Sequence, residues 1–361
     1  MLRRVRILYG VTGEGMGHAT RSRVILDHLT KENEVAIMAS GRAVDFLGNR
    51  FEGVSRIHGL HMIYEENRVR IGKTLFSNVL SGALGVPKNI AAYFELISEF
   101  KPDVVISDFE SWTYLYGKTH RLPVLSIDNM QIIHRCKHDE AIIEGHRKDF
   151  ELAKAFVKGK LPFCNEYFIT TFFRPEIRKP NTHLFPPILR QEILAAKPER
   201  GEHLLVYQTG EGNEALATHL EASGFPCRVY GMRRDLKEDV AEGNLLYRPF
   251  SEAQFIDDLR TSRAVVAGGG FTLMGEAIYL KKPMLCLPLR GQFEQVLNAR
   301  YLELEGFGKE AHDLSDKSEL EGFLAKLPQY EAALAKTTHD GNRGILEAVD
   351  EFLLRVRADV A

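Results

Sequence analysis

The chain has 361 residues, 44% of them hydrophobic and 27% charged, with a formal net charge of −2. That length exceeds one comfortable core and fits two domains of ordinary size, and the composition is that of a folded globular protein rather than a disordered or fibrous one. A charge this close to zero gives no global attraction to nucleic acid, so any anion binding is local, and the scattered Cys136, Cys164, Cys227 and Cys286 form neither a CxxC pair nor a disulfide framework, which suits a reducing cytoplasm.

The first apolar run, Val5 to Val11, is a strand, too short and without the cleavage site for a signal peptide. No later stretch reaches the roughly 18 apolar residues of a spanning helix. The strand runs into Thr12-Gly13-Glu14-Gly15-Met16-Gly17-His18, with a helix expected from near Ala19. Alternating glycines let the chain turn sharply at the carboxyl end of a strand, where open α/β sheets place ligands, so Gly15 and Gly17 aim His18 at that edge. A neutral imidazole with an ordinary pKa of about 6.5 can take a hydroxyl proton at cellular pH. The loop is not G-x-G-x-x-G, and no acidic residue about 20 positions on closes a second strand, which argues against a nicotinamide cofactor.

Glu34 to Ala39 is the next strand. Arg68, Arg70 and Lys73 then precede an apolar, glycine-interrupted stretch from Leu75 to Leu84. It reads first as an amphipathic helix packed beneath an acceptor crevice and second as a surface for anionic lipid. A strand over Val104 to Ser107 delivers Asp108 to the carboxyl edge, the best candidate to hold the other ring nitrogen of His18, with Glu110 as a rival on the same loop. A strand over Val124 to Ile127 delivers Asp128, Asn129 and His134 to the same edge; they line an acceptor pocket or cap the following helix. After the strand Glu166 to Thr170, the stretch from Arg174-Pro175 to Pro186-Pro187 holds four prolines and reads as an interdomain linker. The expected domains are 1–187, for the acceptor, and 188–361, for the donor.

Strands recur at Leu204 to Tyr207, Cys227 to Tyr230, Leu245 to Tyr247, Ala264 to Ala267 and Met284 to Leu287, a second parallel α/β series. The first of them leads into Thr209-Gly210 and the third into Phe250-Ser251. Asp257 and Asp258 fall within a helix, where adjacent carboxylates point apart, and no D-x-D loop appears, so no metal is expected. The strand Ala264 to Ala267 runs into Gly268-Gly269-Gly270 and opens a helix, which points backbone N–H groups and a positive helix end at one spot suited to a pyrophosphate. Thr272 and Glu276 share a helical face, and a cleft carboxylate one turn in can accept both hydroxyls of a ribose. Gln292, Glu294 and Gln295 supply polar groups suited to a second polyol. Ile345, Leu346, Val349, Phe352, Leu353 and Val356 have the spacing of a terminal packing helix.

The segment from Gly268 to Ala299 resembles the donor-sugar motif of GT-B nucleotide-sugar glycosyltransferases, especially the branch with the lipid-linked peptidoglycan GlcNAc transferase. The phrases Ser107-Asp108-Phe109, Ser126-Ile127-Asp128-Asn129, Thr170-Thr171-Phe172-Phe173 and Arg248-Pro249-Phe250-Ser251 resemble bacterial and archaeal proteins labelled glycosyltransferase or teichoic-acid-type transferase. The resemblance implies two Rossmann-like domains facing a cleft, with a terminal helix that crosses back to the first. It implies diphosphate binding by Gly269, Gly270, Thr272 and the Thr209-Gly210 loop, ribose binding by Glu276, nucleobase binding at Phe250-Ser251, and sugar binding by Glu294 and Gln295. The peptidoglycan enzyme has two amides where this chain has Glu294-Gln295. His18 takes the place of that family's proposed general base, and Asp108 that of its partner in the plant and macrolide enzymes. The expected activity is inverting transfer of an N-acetylhexosamine or hexose from a UDP-linked donor to a hydroxyl of a lipid or cell-surface glycan, without cofactor or metal, in the cytoplasm or at the inner face of the membrane. A non-hydrolysing sugar-nucleotide 2-epimerase and a non-catalytic nucleotide-sugar-binding regulator are the alternatives.

Overall fold

The computed structural model describes residues 4–13, 15–57, 64–65, 68–69, 97–208, 214–311 and 317–360. The chain divides into two compact units, one of Met1–Arg190 with Asp340–Ala361 and the other of Gln191–His339.

The first unit is built on β1 (Arg6–Val11), β2 (Glu34–Ala39), β3 (Ser55–Arg56), β6 (Val104–Asp108), β7 (Val124–Asp128), β8 (Glu166–Thr170) and β9 (Thr182–Phe185); Tyr64–Glu65 and Arg68–Val69 (β4 and β5) form a separate two-stranded pair. These seven strands pair in the order β3-β2-β1-β6-β7-β8-β9 and are parallel throughout. Because β2 lies on one side of β1 and β6 on the other, the order reverses between β1 and β6, which opens a crevice at their carboxyl ends. Val11 and Asp108 face each other there in register.

The stretch read as a linker contains β9 instead. Pro180 and Pro186 bracket a strand that pairs with β8 at the sheet edge, a place where proline costs the ladder no hydrogen bond. The last helix, Arg343–Val360, crosses back to the first unit as expected: Ile345, Val349, Phe352, Leu353 and Val356 are buried in the same core as Ile7, Tyr9, Ile25 and Leu26. Each of those five side chains contributes on the order of 1.5–3 kcal/mol by leaving water.

The second unit repeats the plan with β10 (Leu204–Tyr207), β11 (Cys227–Tyr230), β12 (Val240–Glu242), β13 (Leu245–Arg248), β14 (Ala264–Ala267), β15 (Met284–Cys286) and β16 (Gly308–Glu310), in the order β12-β13-β11-β10-β14-β15-β16. Only the β12–β13 pairing is antiparallel. Its order reverses between β10 and β14, with Tyr207 opposite Ala267, so the glycine turn after β14 opens at this unit's own switch point.

Candidate active site

In the first unit the chain leaves β1, turns through Gly15 at φ 92, a conformation that suits glycine, and enters the helix Met16–Leu29. The helix begins earlier than expected, with Gly17 and His18 in its first turn, and no side chain caps its start. His18 Nδ1 lies 2.7 Å from Asp108 Oδ1. One turn on, Arg21 grips the same carboxylate with both arms, Nε to Oδ2 at 2.7 Å and Nη2 to Oδ1 at 2.6 Å. Ser22 Oγ donates to Oδ2 at 2.9 Å, and Arg21 Nη1 donates to Asn129 Oδ1 at 2.7 Å. Asp108 is fully buried, whereas the His18 side chain keeps 13% of its surface.

Burial alone would raise the Asp108 carboxyl, but Arg21 and His18 together outweigh it and hold the group below the usual carboxylate range. It is therefore held as an anion, an acceptor for a proton on His18 Nδ1, the nitrogen that Arg21 Nη2 also approaches at 2.5 Å. Burial, and next the Arg21 charge, push His18 below its ordinary pKa against the pull of Asp108 and Asp128. Both effects favour a neutral imidazole with Nδ1 engaged. Beside it Phe109 has φ 54 and is 2% exposed, its ring nearly parallel to His18 at 6.3 Å, with Lys160 Nζ 4.2 Å from the ring centroid. A left-handed phenylalanine is a strained conformation of the kind that persists where surrounding contacts over-determine it.

The other acceptor-side candidates face inward. Glu110 accepts from Trp112 N at 2.8 Å and from Thr113 N and Oγ1 at 2.7 Å, so it caps the helix Ser111–Thr119 rather than reaching His18. Asp128 is 1% exposed and accepts from Ser126 Oγ at 2.7 Å and Gln131 N at 2.8 Å, which makes it a turn-forming residue, its pKa raised by burial. Asn129 serves Arg21. His134 sits in the short helix Ile132–Arg135 with Nδ1 buried and unpartnered, and burial followed by Arg178 and Arg135 lowers its pKa to about 4.

In the second unit the glycine turn opens the helix Phe271–Tyr279, whose N-cap, Gly270, supplies no side-chain cap. A Cβ on Gly269 would lie 2.4 Å from the Gln295 carbonyl oxygen, so glycine is required there for the approach of the helix Phe293–Leu304. A Cβ on Gly270 would meet nothing within 4 Å. Gln295 turns inward: Oε1 accepts from Gly269 N at 3.3 Å and Leu289 N at 3.0 Å, and Nε2 donates to Gln292 Oε1. The amide side chains expected to meet a sugar thus brace the turn, and the Gly269 N–H is already engaged. Asn298 Nδ2 donates to Gly269 O and to Glu294 Oε1, both at 3.0 Å. Thr272 is partly buried in the first helical turn, but Glu276 is 2% exposed and belongs to the buried stretch Met274 to Ile278, not to an open cleft wall.

Phe250 is 70% exposed after β13, while Ser251 Oγ accepts from Gln254 N at 3.5 Å and caps the helix Glu252–Arg260. Asp257 pairs with Arg260, and the buried Asp258 binds Arg228, Arg248 and Tyr230. Thr209 and Gly210 lie outside the described residues, as do residues 70–84. Sequence reasoning missed Arg21, although its place three residues after His18 on one helical face was a usable signal. Reading the loop from Tyr207 to Gly212 for its backbone amides alone passes over the Gln208 side chain, whose Nε2 is buried without a partner just after β10.

Two α/β units of mainly parallel strands, each carrying its loops at a switch point, make up the GT-B fold. The chain belongs to Glycosyl transferase family 1, which it matches over residues 5–328. An uncharacterised glycosyltransferase of Methanosarcina mazei is 26% identical over 344 residues, covering 84% of this chain and 85% of the relative. Among solved structures, Phytolacca americana UGT2 complexed with UDP-2fluoro-glucose and pterostilbene has a TM-score of 0.66 at 16% identity, covering 99% of this chain and 100% of its own. Spinosyn rhamnosyltransferase SpnG complexed with thymidine diphosphate has a TM-score of 0.57 at 17% identity, covering 92% and 95%. At these identities the structural likeness establishes the fold, and the family match establishes a glycosyltransferase.

Proposed function

We propose that the enzyme is an inverting glycosyltransferase that moves a hexosyl or N-acetylhexosaminyl group from a UDP-linked donor to a hydroxyl of a lipid or glycan acceptor. The observation that carries this reading is the His18–Asp108 contact at 2.7 Å, which engages Nδ1 and leaves Nε2 as a base. The acceptor O–H gives its proton to Nε2 as its oxygen bonds to the anomeric carbon, and the bond from that carbon to the diphosphate oxygen breaks. Direct displacement of this kind inverts the anomeric centre. The leaving diphosphate's charge falls to the uncapped start of the helix Phe271–Tyr279, around Gly270 and Thr272, with the unpartnered amide of Gln208 as a further donor.

UDP is favoured because the Phytolacca neighbour is complexed with a UDP-sugar; the thymidine diphosphate on SpnG marks dTDP as the rival. A lipid acceptor would place the work at the inner membrane face, and no helix among the described residues is long and apolar enough to cross a membrane. Thermal unfolding with UDP-, GDP- and dTDP-sugars is the first test, with about 2.7 kcal/mol of stabilisation expected from the right one at 100 times its Kd. NMR of the product glycoside follows: an inverted anomer is expected, and a retained one would discard direct displacement.

A further inference from the structure

Arg21 is placed where it acts on the base itself. Its guanidinium, 4% exposed, engages both oxygens of Asp108, and Nη2 lies against His18 Nδ1 at 2.5 Å. The Asp108 carboxylate therefore receives His18 Nδ1 and Arg21 Nη2 on Oδ1, and Arg21 Nε and Ser22 Oγ on Oδ2. A histidine beside an otherwise free carboxylate gains basicity from the unshared negative charge. Here that charge is already matched by a buried cation touching the imidazole.

We propose that Arg21 is a positioning residue of the transfer: it fixes the Asp108 carboxylate against Nδ1 and cancels its charge, so that His18 stays neutral, with Nε2 bare, in acid where an ordinary His–Asp pair would be protonated. This rests on the reading of His18 as the base. The Oδ1 anion at 2.7 Å favours a proton on Nδ1, since a lone pair there would face it, while Arg21 Nη2, a donor at 2.5 Å from the same nitrogen, opposes one. Among the described residues, the charged groups near His18 all enter the balance. Arg21, on its own helix, opposes a second positive charge, while Asp108 at the end of β6 and Asp128 at the end of β7 favour one. Lys160, from the helix Arg147–Lys160, sits over Phe109, whose ring stacks beside the imidazole.

The test is the acid limb of the kcat/KM profile in the wild type, Arg21→Lys and Arg21→Gln, with ¹⁵N NMR of the His18 ring in the same proteins. In Arg21→Gln the limb and the ring titration should move together to higher pH by about one unit or more, the scale of a neighbouring charge, with kcat reduced at neutral pH and the donor KM unchanged. Arg21→Lys should restore the wild-type limb while keeping a reduced kcat, because a point charge cannot grip both oxygens. An unmoved limb and unmoved titration in a folded Arg21→Gln would reduce Arg21 to a scaffold. If that variant does not fold, the wild-type ring decides alone: titration at or above about 6.5, or a proton on Nε2 in the neutral form, overturns the proposal. Failure of the underlying reading looks different, since His18→Ala would then retain transfer while the wild-type ring titration still reports on Arg21.

Discussion

Nδ1 of His18 is enclosed by Asp108 and Arg21, and in the proposed reaction Nε2 is the base that meets the acceptor. Removing the ring takes away proton transfer and leaves the second unit untouched. His18→Ala should therefore lower transfer by about 10²–10⁴-fold, the usual worth of general-base catalysis, with donor affinity by calorimetry unchanged. A collapse of donor affinity in folded protein would reassign His18 as a phosphate or sugar ligand. From the sequence Asp108 is only the partner of His18, so Asp108→Asn reads as a milder kinetic loss. The structure gives the same residue the charge of the buried Arg21 to balance. Breaking such a pair from one side costs about 3–5 kcal/mol, so the variant should lose stability in urea as well as activity.

At the scale of turns and helices, the neighbours Gly269 and Gly270 separate structure from binding. A methyl on Gly269 strikes the backbone of Gln295, whereas one on Gly270 enters open space. Gly269→Ala should lower the melting temperature and donor affinity together. Gly270→Ala should leave the melting temperature unchanged and weaken the donor alone; unchanged affinity would remove the turn from the donor site. The sequence made the glycine turn and its helix visible, because a buried strand followed by three glycines is a local pattern. The apolar runs at Glu34–Ala39, Glu166–Thr170, Leu204–Tyr207 and Cys227–Tyr230 are strands with the bounds expected of them. Strands β3, β9, β12 and β16 were not legible, being two to four residues long without an uninterrupted apolar run. Nor could sequence show that Gln295 turns inward, since it is spent in part on the Gly269 N–H that only the folded chain brings near, whereas Glu110 is spent on N–H groups two and three residues on, a local cap. Arg21 and Asp108 meet across 87 positions, a pairing made by the β1–β6 register rather than by any local signal.

For the molecule as a whole, acid should be destabilising. His18, His134, His138 and His203 all have lowered pKa values, burial being the first cause of each, and His134 falls to about 4. The unfolded chain protonates these rings near the ordinary 6.5, so it binds more protons than the folded one below that pH, and stability is lost as pH falls from about 6.5 toward 4. Asp108, itself lowered, adds loss at still lower pH as it is protonated, and the raised Asp128 acts in the opposite sense. Urea midpoints between pH 7 and pH 4 should fall; a flat or rising series would contradict the burial of neutral histidines. The proposed base and the proposed donor groups belong to different units, so residues 191–339 alone should bind the nucleotide, if they fold, and transfer nothing. Full-length turnover should persist in excess EDTA, and its abolition with rescue by Mg²⁺ would reject charge stabilisation by helix and backbone alone. The return of the last helix to the first core also sets an order of events during synthesis. The ribosome delivers β1 well before Phe352, so the first core lacks one wall while the whole second unit emerges and folds. At 5–20 residues per second that wait lasts on the order of 10–30 s, during which the growing chain exposes the apolar surface that Arg343–Val360 will cover. The unit whose strands emerge before the other's is completed after it.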